Sequence, residues 1–141
     1  MGATPVFPAT SNYDGGKVLT ANTALDGTGT VGTNLTLLFT AGSSGARIDE
    51  ITALHMGTNI ATALRLFVNN GSTNATASNN FLYKDITASA NAVSQVAGQT
   101  PMTLLSADSS ALTLPAGYKL YGAVGTTIAS GIMINVIGGD Y

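Results

Sequence analysis

Short β-prone runs, each closed by Gly, Asn or Ser, recur along this chain, and that rhythm constrains the fold more than any other feature. An amphipathic helix needs a 3.6-residue apolar period held over several turns, and here the punctuation arrives too often. The runs are 17–20, 33–40, 47–56, 60–69, 81–87, 102–105, 111–114, 119–124 and 132–137. Residues 60–69 alternate most cleanly, with Leu64, Leu66 and Val68 on one face and Arg65 and Phe67 on the other. Adjacent Asp49 and Glu50 break the alternation of their run and mark a β-bulge. Residues 132–137 are apolar on both faces except at Asn135, so this strand is expected to be central or covered by a partner subunit. The rhythm predicts an all-β fold: an antiparallel β-sandwich of jelly-roll-like form.

The punctuation itself is informative. Residues 41–45 read as a hairpin-style loop and 114–118 as a tight turn, with Pro115 setting φ and Gly117 supplying the reversal. Asn69-Asn70-Gly71-Ser72 predicts a type I′ turn, and the polar residues up to Asn80 extend it into a longer, mobile loop. Residues 88–99 read as a loop rather than a helical turn, since Val93 and Val96 are their only apolar anchors. Pro5 and Pro8 disfavour helix, and Tyr13-Asp14-Gly15-Gly16 reads as a turn. Residues 1–16 are therefore expected to form an extended N-terminal arm ahead of one sandwich domain, 17–141. Val6, Phe7 and Tyr13 on that arm need a surface to bury against, and a neighbouring subunit supplies one. With Ile132, Ile134 and Val136 of the last run they make up the expected interface.

What covers the strands is equally constrained. Only 9% of the 141 residues are charged, against about 25% in a typical soluble domain. Polarity comes instead from Thr, Ser, Asn and Gly, and mean hydropathy is +0.29. Hydroxyls and amides are far less costly to desolvate than charges, which suits a protein whose outside becomes part of a larger assembly. Net charge is −2, and Lys17, Arg47, Arg65, Lys84 and Lys119 are scattered, without the cluster that phosphate contacts require. Nucleic acid is not an expected partner. Nor is a membrane: residues 121–139 are uncharged and long enough to span one, but Gly122, Gly125, Gly131 and the Thr126-Thr127 pair break them into two strands and a turn. The N-terminal residues lack the basic and long apolar regions of a secretory signal. The absence of Cys excludes a disulfide scaffold, a thiolate metal site and a Cys nucleophile. Asn-x-Ser/Thr sequons at Asn34, Asn70 and Asn74 read as turn chemistry.

Residues that could carry chemistry are isolated. Gly27-Thr28-Gly29-Thr30-Val31-Gly32 matches GxGxxG, but the dinucleotide fingerprint needs a helix next, and here a strand follows. Asp14-Gly15-Gly16-Lys17 lacks the first glycine and the hydroxyl of a phosphate-binding loop. His55, the single histidine, has no second His to share a metal and no acid or nucleophile placed beside it, so it reads as a structural strand residue. Asp49 and Glu50 point to opposite faces of a regular strand, and only a bulge brings them together; they read as one solvated and one salt-bridged carboxylate. Asp26, Asp108 and Asp140 read as turn-capping residues without calcium-loop spacing. No catalytic residue, no cofactor and no metal is expected.

The run Leu19-Thr20-Ala21-Asn22-Thr23-Ala24-Leu25-Asp26-Gly27-Thr28-Gly29-Thr30-Val31 resembles a family of small tailed-bacteriophage virion proteins. So do the hairpin from Phe39-Thr40-Ala41-Gly42 into Ala46-Arg47-Ile48, the Leu114-Pro115-Ala116-Gly117-Tyr118 turn and the closing Gly138-Gly139-Asp140-Tyr141. These proteins are capsid decoration (cement) proteins and related head and fibre components. The resemblance implies a β-sandwich protomer, usually a homotrimer, that docks on the major capsid protein at the virion surface, in particles assembled in the bacterial cytoplasm. It carries over no catalytic residues. The alternative is a fibre or spike module that binds a receptor or carbohydrate through Tyr and Asn in its loops.

Overall fold

The computed structural model describes residues 8–106, 108 and 111–141, so Val6 and Phe7 of the expected interface lie outside the described residues. The strands are β1 (Thr10–Val18), β2 (Thr36–Thr40), β3 (Ala46–His55), β4 (Thr62–Asn69), β5 (Asn80–Ala88), β6 (Met102–Leu105), β7 (Leu112–Leu114), β8 (Lys119–Val124) and β9 (Ile132–Asp140). They form two antiparallel sheets packed face to face as a β-sandwich. One has the order β1-β9-β3-β6, with β7 pairing β3 beside β6; the other is β2-β8-β4-β5. The chain pairs from its ends inward, β1 with β9 and β2 with β8, and then closes on the β4–β5 hairpin.

Alternation builds the core. Ile48, Ile51 and Ala53 of β3 and Ile132, Ile134 and Val136 of β9 face Leu64 and Leu66 of β4 and Leu120 and Val124 of β8, all fully buried. Burial of each Leu, Ile or Val contributes about 1.5–3 kcal/mol. Gly122 keeps the sheets close: a Cβ there would sit 2.9 Å from Leu38 Cδ1 and 3.1 Å from Ile134 Cδ1. The bulge expected at Asp49 and Glu50 is present, as a register shift between Ile48 and Glu50 against β9. β9 is central, between β1 and β3. Residues 121–139 are indeed two strands and a turn, and no helix among the described residues is long and apolar enough to cross a membrane.

Four expectations are corrected. Residues 10–16 are not a free arm but most of β1, an edge strand in continuous register from Thr10↔Asp140 to Val18↔Ile132. Gly15 and Gly16 do not turn the chain; a Cβ at Gly15 would collide with the Ile134 carbonyl oxygen, so glycine here permits close strand pairing. Asn69–Ser72 is not a type I′ turn, which needs positive φ at two residues, because Asn70 has none and only Gly71 does. Side chains shape it instead: Asn69 Oδ1 accepts the Gly71 N–H at 2.8 Å and Asn70 Oδ1 the Ser72 N–H at 3.1 Å. Nor do residues 69–80 hang loose. Asn69 Nδ2 donates to Asn80 Oδ1 (2.8 Å), Asn80 Nδ2 to the carbonyls of Asn74 (2.9 Å) and Asp26 (3.1 Å), and Asn74 Nδ2 to the Gly29 carbonyl (2.8 Å).

The central strands of the second sheet, β4 and β8, are covered over part of their outer side as well. Phe67 and Tyr121, on that side, join Ala123 and Leu35 in a separate apolar cluster beneath the connection 19–35. Asn22 anchors that connection, its N–H on the Val124 carbonyl (2.7 Å) and its Nδ2 on the Thr28 carbonyl (2.8 Å).

Candidate functional site

The expected interface residues of the last strand face the wrong way for that role. Ile132, Ile134 and Val136 are fully buried inside the protomer's own core. The outer side of β9 carries the alternate residues, Met133, Asn135 and Ile137. Across the strand pairs they stand beside Lys17, Gly15 and Tyr13 of β1 and beside Leu54, Thr52 and Glu50 of β3. Tyr13 is 68% exposed, and its hydroxyl donates to Asn135 Oδ1 at 3.1 Å. Ile137 is exposed, and Met133, Asn135, Thr52 and Leu54 are half-buried. Among the described residues no second buried apolar cluster covers this face, and at one corner Leu54 lines a cavity with Val93, Ser94 and Ala97 of the loop before β6. The residues missed were legible in one detail: Asn135, the only polar position in 132–137, marks the outward parity.

Charge sits at the margins of this face. The bulge lies between core residues Ile48 and Ile51, so Asp49 and Glu50 both turn outward and do come together on one side. Asp49 is the salt-bridged member, its Oδ1 2.8 Å from Arg47 Nε. Lys17 and Glu50 have no ion-pair partner among the described residues. Arg47 thus pairs with one carboxylate of the two.

A polar cleft lies at the other end of β3. His55 is 9% exposed. Asn59 fixes its ring: Ser130 N–H donates to Asn59 Oδ1 (2.8 Å), which turns Asn59 Nδ2 toward the Gly131 carbonyl (2.8 Å) and His55 Nδ1 (3.1 Å). Nδ1 therefore accepts, and the proton of the neutral ring sits on Nε2. Gln99 imitates a strand partner, accepting the His55 N–H (2.8 Å) and donating to the His55 carbonyl (2.7 Å). Beside them His55, Thr87, Ser89, Asn91, Gln99 and Met102 line a cleft of about 450 Å³. Asn91 is bound to Asn59 through both backbone groups at 3.0 Å, while its Nδ2 is buried without a hydrogen-bond partner. The residues lining the cleft include the hydroxyls of Thr87, Ser89 and Thr100 but no carboxylate, Lys or Arg.

The remaining motifs are structural. The GxGxxG segment is a loop that enters β2, with the Thr30 carbonyl accepting N–H groups of Thr33, Asn34 and Leu35. Asp14-Gly15-Gly16-Lys17 lies within β1. Asp26 caps its own turn: the Thr28 hydroxyl (2.6 Å) and N–H (3.0 Å) hold its carboxyl below the usual carboxylate range. Asp140 is not in a turn but ends β9, where Asn12 Nδ2 (3.2 Å) and the Gly42 N–H (3.1 Å) donate to it. Asp108 is in a turn, its N–H on Ser106 Oγ at 3.2 Å. The sequon amides serve the fold, with Asn34 Oδ1 accepting the Thr30 N–H and Asn70 Nδ2 donating to Asn79. Among the described residues no three His, Asp or Glu side chains group as metal ligands would. Comparison with protein-family models, with curated proteins and with solved structures finds no match to this chain.

Proposed function

We propose that this chain is a structural subunit of a virion, a decoration protein that binds the outside of a tailed-phage head and stabilises its lattice. One observation carries the reading. On a surface with few charges, large apolar side chains stand exposed in several separate places: Leu25 beside the second sheet, Met56 and Ile60 at one end, Phe81 on an edge strand and Val96 on a loop. Scattered exposed apolar residues are ordinary; set among hydroxyls and amides they give a surface that can be desolvated on several sides, as a subunit wedged among lattice neighbours requires. The nested strand order supports a jelly-roll sandwich, an architecture common in capsid proteins. The gain is mass action: a subunit that binds only the assembled lattice stabilises it by about 2.7 kcal/mol per site at a hundredfold excess over its Kd.

The experiment adds purified chain to heads stripped of it. Saturable binding with a raised temperature of head disassembly is expected; heads that neither bind the chain nor gain stability overturn the reading. A second reading, a carbohydrate-binding virion module, is favoured by the cleft at His55. Its lining of hydroxyls and amides beside Met102 matches a neutral ligand whose groups both donate and accept. Glycan-array binding lost in Gln99→Ala would bring that reading forward.

A further inference from the structure

The outer face of the five-stranded sheet is polar at its centre, apolar around it and charged at two corners. Rows across it, taken from the strand register, are Tyr13–Ile137–Glu50, then Gly15–Asn135–Thr52, then Lys17–Met133–Leu54. An antiparallel sheet face left to water normally alternates to polar residues, yet here Tyr13, Ile137, Met133 and Leu54 surround Asn135 and Thr52. Lys17 and Glu50 occupy diagonal corners, two strands and four residues of β9 apart, which is roughly 16 Å at standard strand spacings. That is too far for them to pair within one chain, and neither has another ion-pair partner among the described residues. Arg47 and Asp49, near the Glu50 corner, neutralise each other.

We infer that this face pairs with the same face of a second copy about a twofold axis. The charge pattern dictates the axis. A twofold lying in the contact plane, perpendicular to the Lys17–Glu50 diagonal, exchanges the two corners, so each Lys17 meets the other copy's Glu50. Asn135, at the midpoint of the diagonal, then meets its own symmetry mate, and an amide is complementary to itself as donor and acceptor. Gly15 keeps the centre flat beside it. Strands of the two copies cross at roughly 70°, near the orthogonal class of sheet packing. β1, β9 and β3 are about 30 Å long, with the short β6 and β7 end to end beside them; two such faces crossed at this angle overlap over roughly 400 Å² each, about 800 Å² in total, the size of a weak, concentration-dependent contact. The inference rests on reading this chain as an assembly subunit but not on which particle it joins.

Charge reversal tests it with the full-length chain. Sedimentation velocity over a concentration series is expected to move from the 14.2 kDa chain mass toward twice that mass for the wild type. Lys17→Glu alone, or Glu50→Lys alone, places like charges together at both symmetric contacts and should weaken pairing roughly tenfold or more. Thermal melts check that each variant stays folded, as substitution of surface charges away from the core allows. Mixing the two single variants restores complementary corners in the heterodimer, and so does the double variant; both should recover pairing. A wild type that is monomeric or three times the chain mass overturns the inference, as do single variants that pair normally or a mixture that fails to recover. A chain that binds phage heads yet stays monomeric overturns the pairing and leaves the head reading standing; one that pairs and ignores heads does the reverse.

Discussion

Asn59 is almost fully buried, and its one amide bonds His55, Gly131 and Ser130 at one end of the sandwich. Replacing it with Ala strands a buried N–H and a carbonyl together. Asn59→Ala is therefore expected to lower stability by about 1–3 kcal/mol, measured as a lower urea midpoint at unchanged slope. Burial acts on Tyr121 differently. It raises the phenol above its ordinary value of 10.0, because ionisation inside the Leu35–Phe67 cluster is unfavourable. The folded state thus holds its proton more tightly than the unfolded chain. That stability is complete below pH 10.0 and is lost as pH rises through the folded value. Tyr121→Phe should flatten the alkaline fall in stability, read as the melting temperature between neutral pH and pH about 11; an unchanged slope would assign the fall to other groups. Neither residue was legible as a structural anchor, because nothing local says which Asn is buried or which Tyr lies beneath a distant loop.

Strand positions were legible because hydrophobic alternation and Gly/Asn punctuation are local signals. β6 and β8 match the expected runs residue for residue, and β3, β4 and β5 differ only at their ends. β1 was half missed for an equally local reason. Asp14-Gly15-Gly16 is turn chemistry by composition, and only the neighbouring strand reveals that glycine is needed for close approach to Ile134. Phe67 was assigned to the correct face, but the sequence does not show that residues 19–35 return to cover it. Deletion of residues 1–16 separates the two pictures of the N-terminus. It strips most of β1, leaving one side of β9 unpaired, and cooperative melting should be lost or shifted down by many degrees. A truncated chain that melts like the full one would restore the free-arm picture.

The whole molecule leaves large apolar residues exposed in several separate places and carries little charge. Composition announced that much, since 9% charged residues cannot clothe a domain in ion pairs. The site was less legible than the fold. A one-residue change of parity moves a side chain from core to surface, so Ile132, Ile134 and Val136 were assigned outward when Met133, Asn135 and Ile137 are the outward-facing set. Assembly remains the central claim, and its most direct measurement is stoichiometry in purified particles. Quantitative mass spectrometry of virions that contain this chain should count it in fixed proportion to the major capsid protein, as a lattice-wide subunit requires. A count of a few copies per particle, or none, would contradict a decoration role.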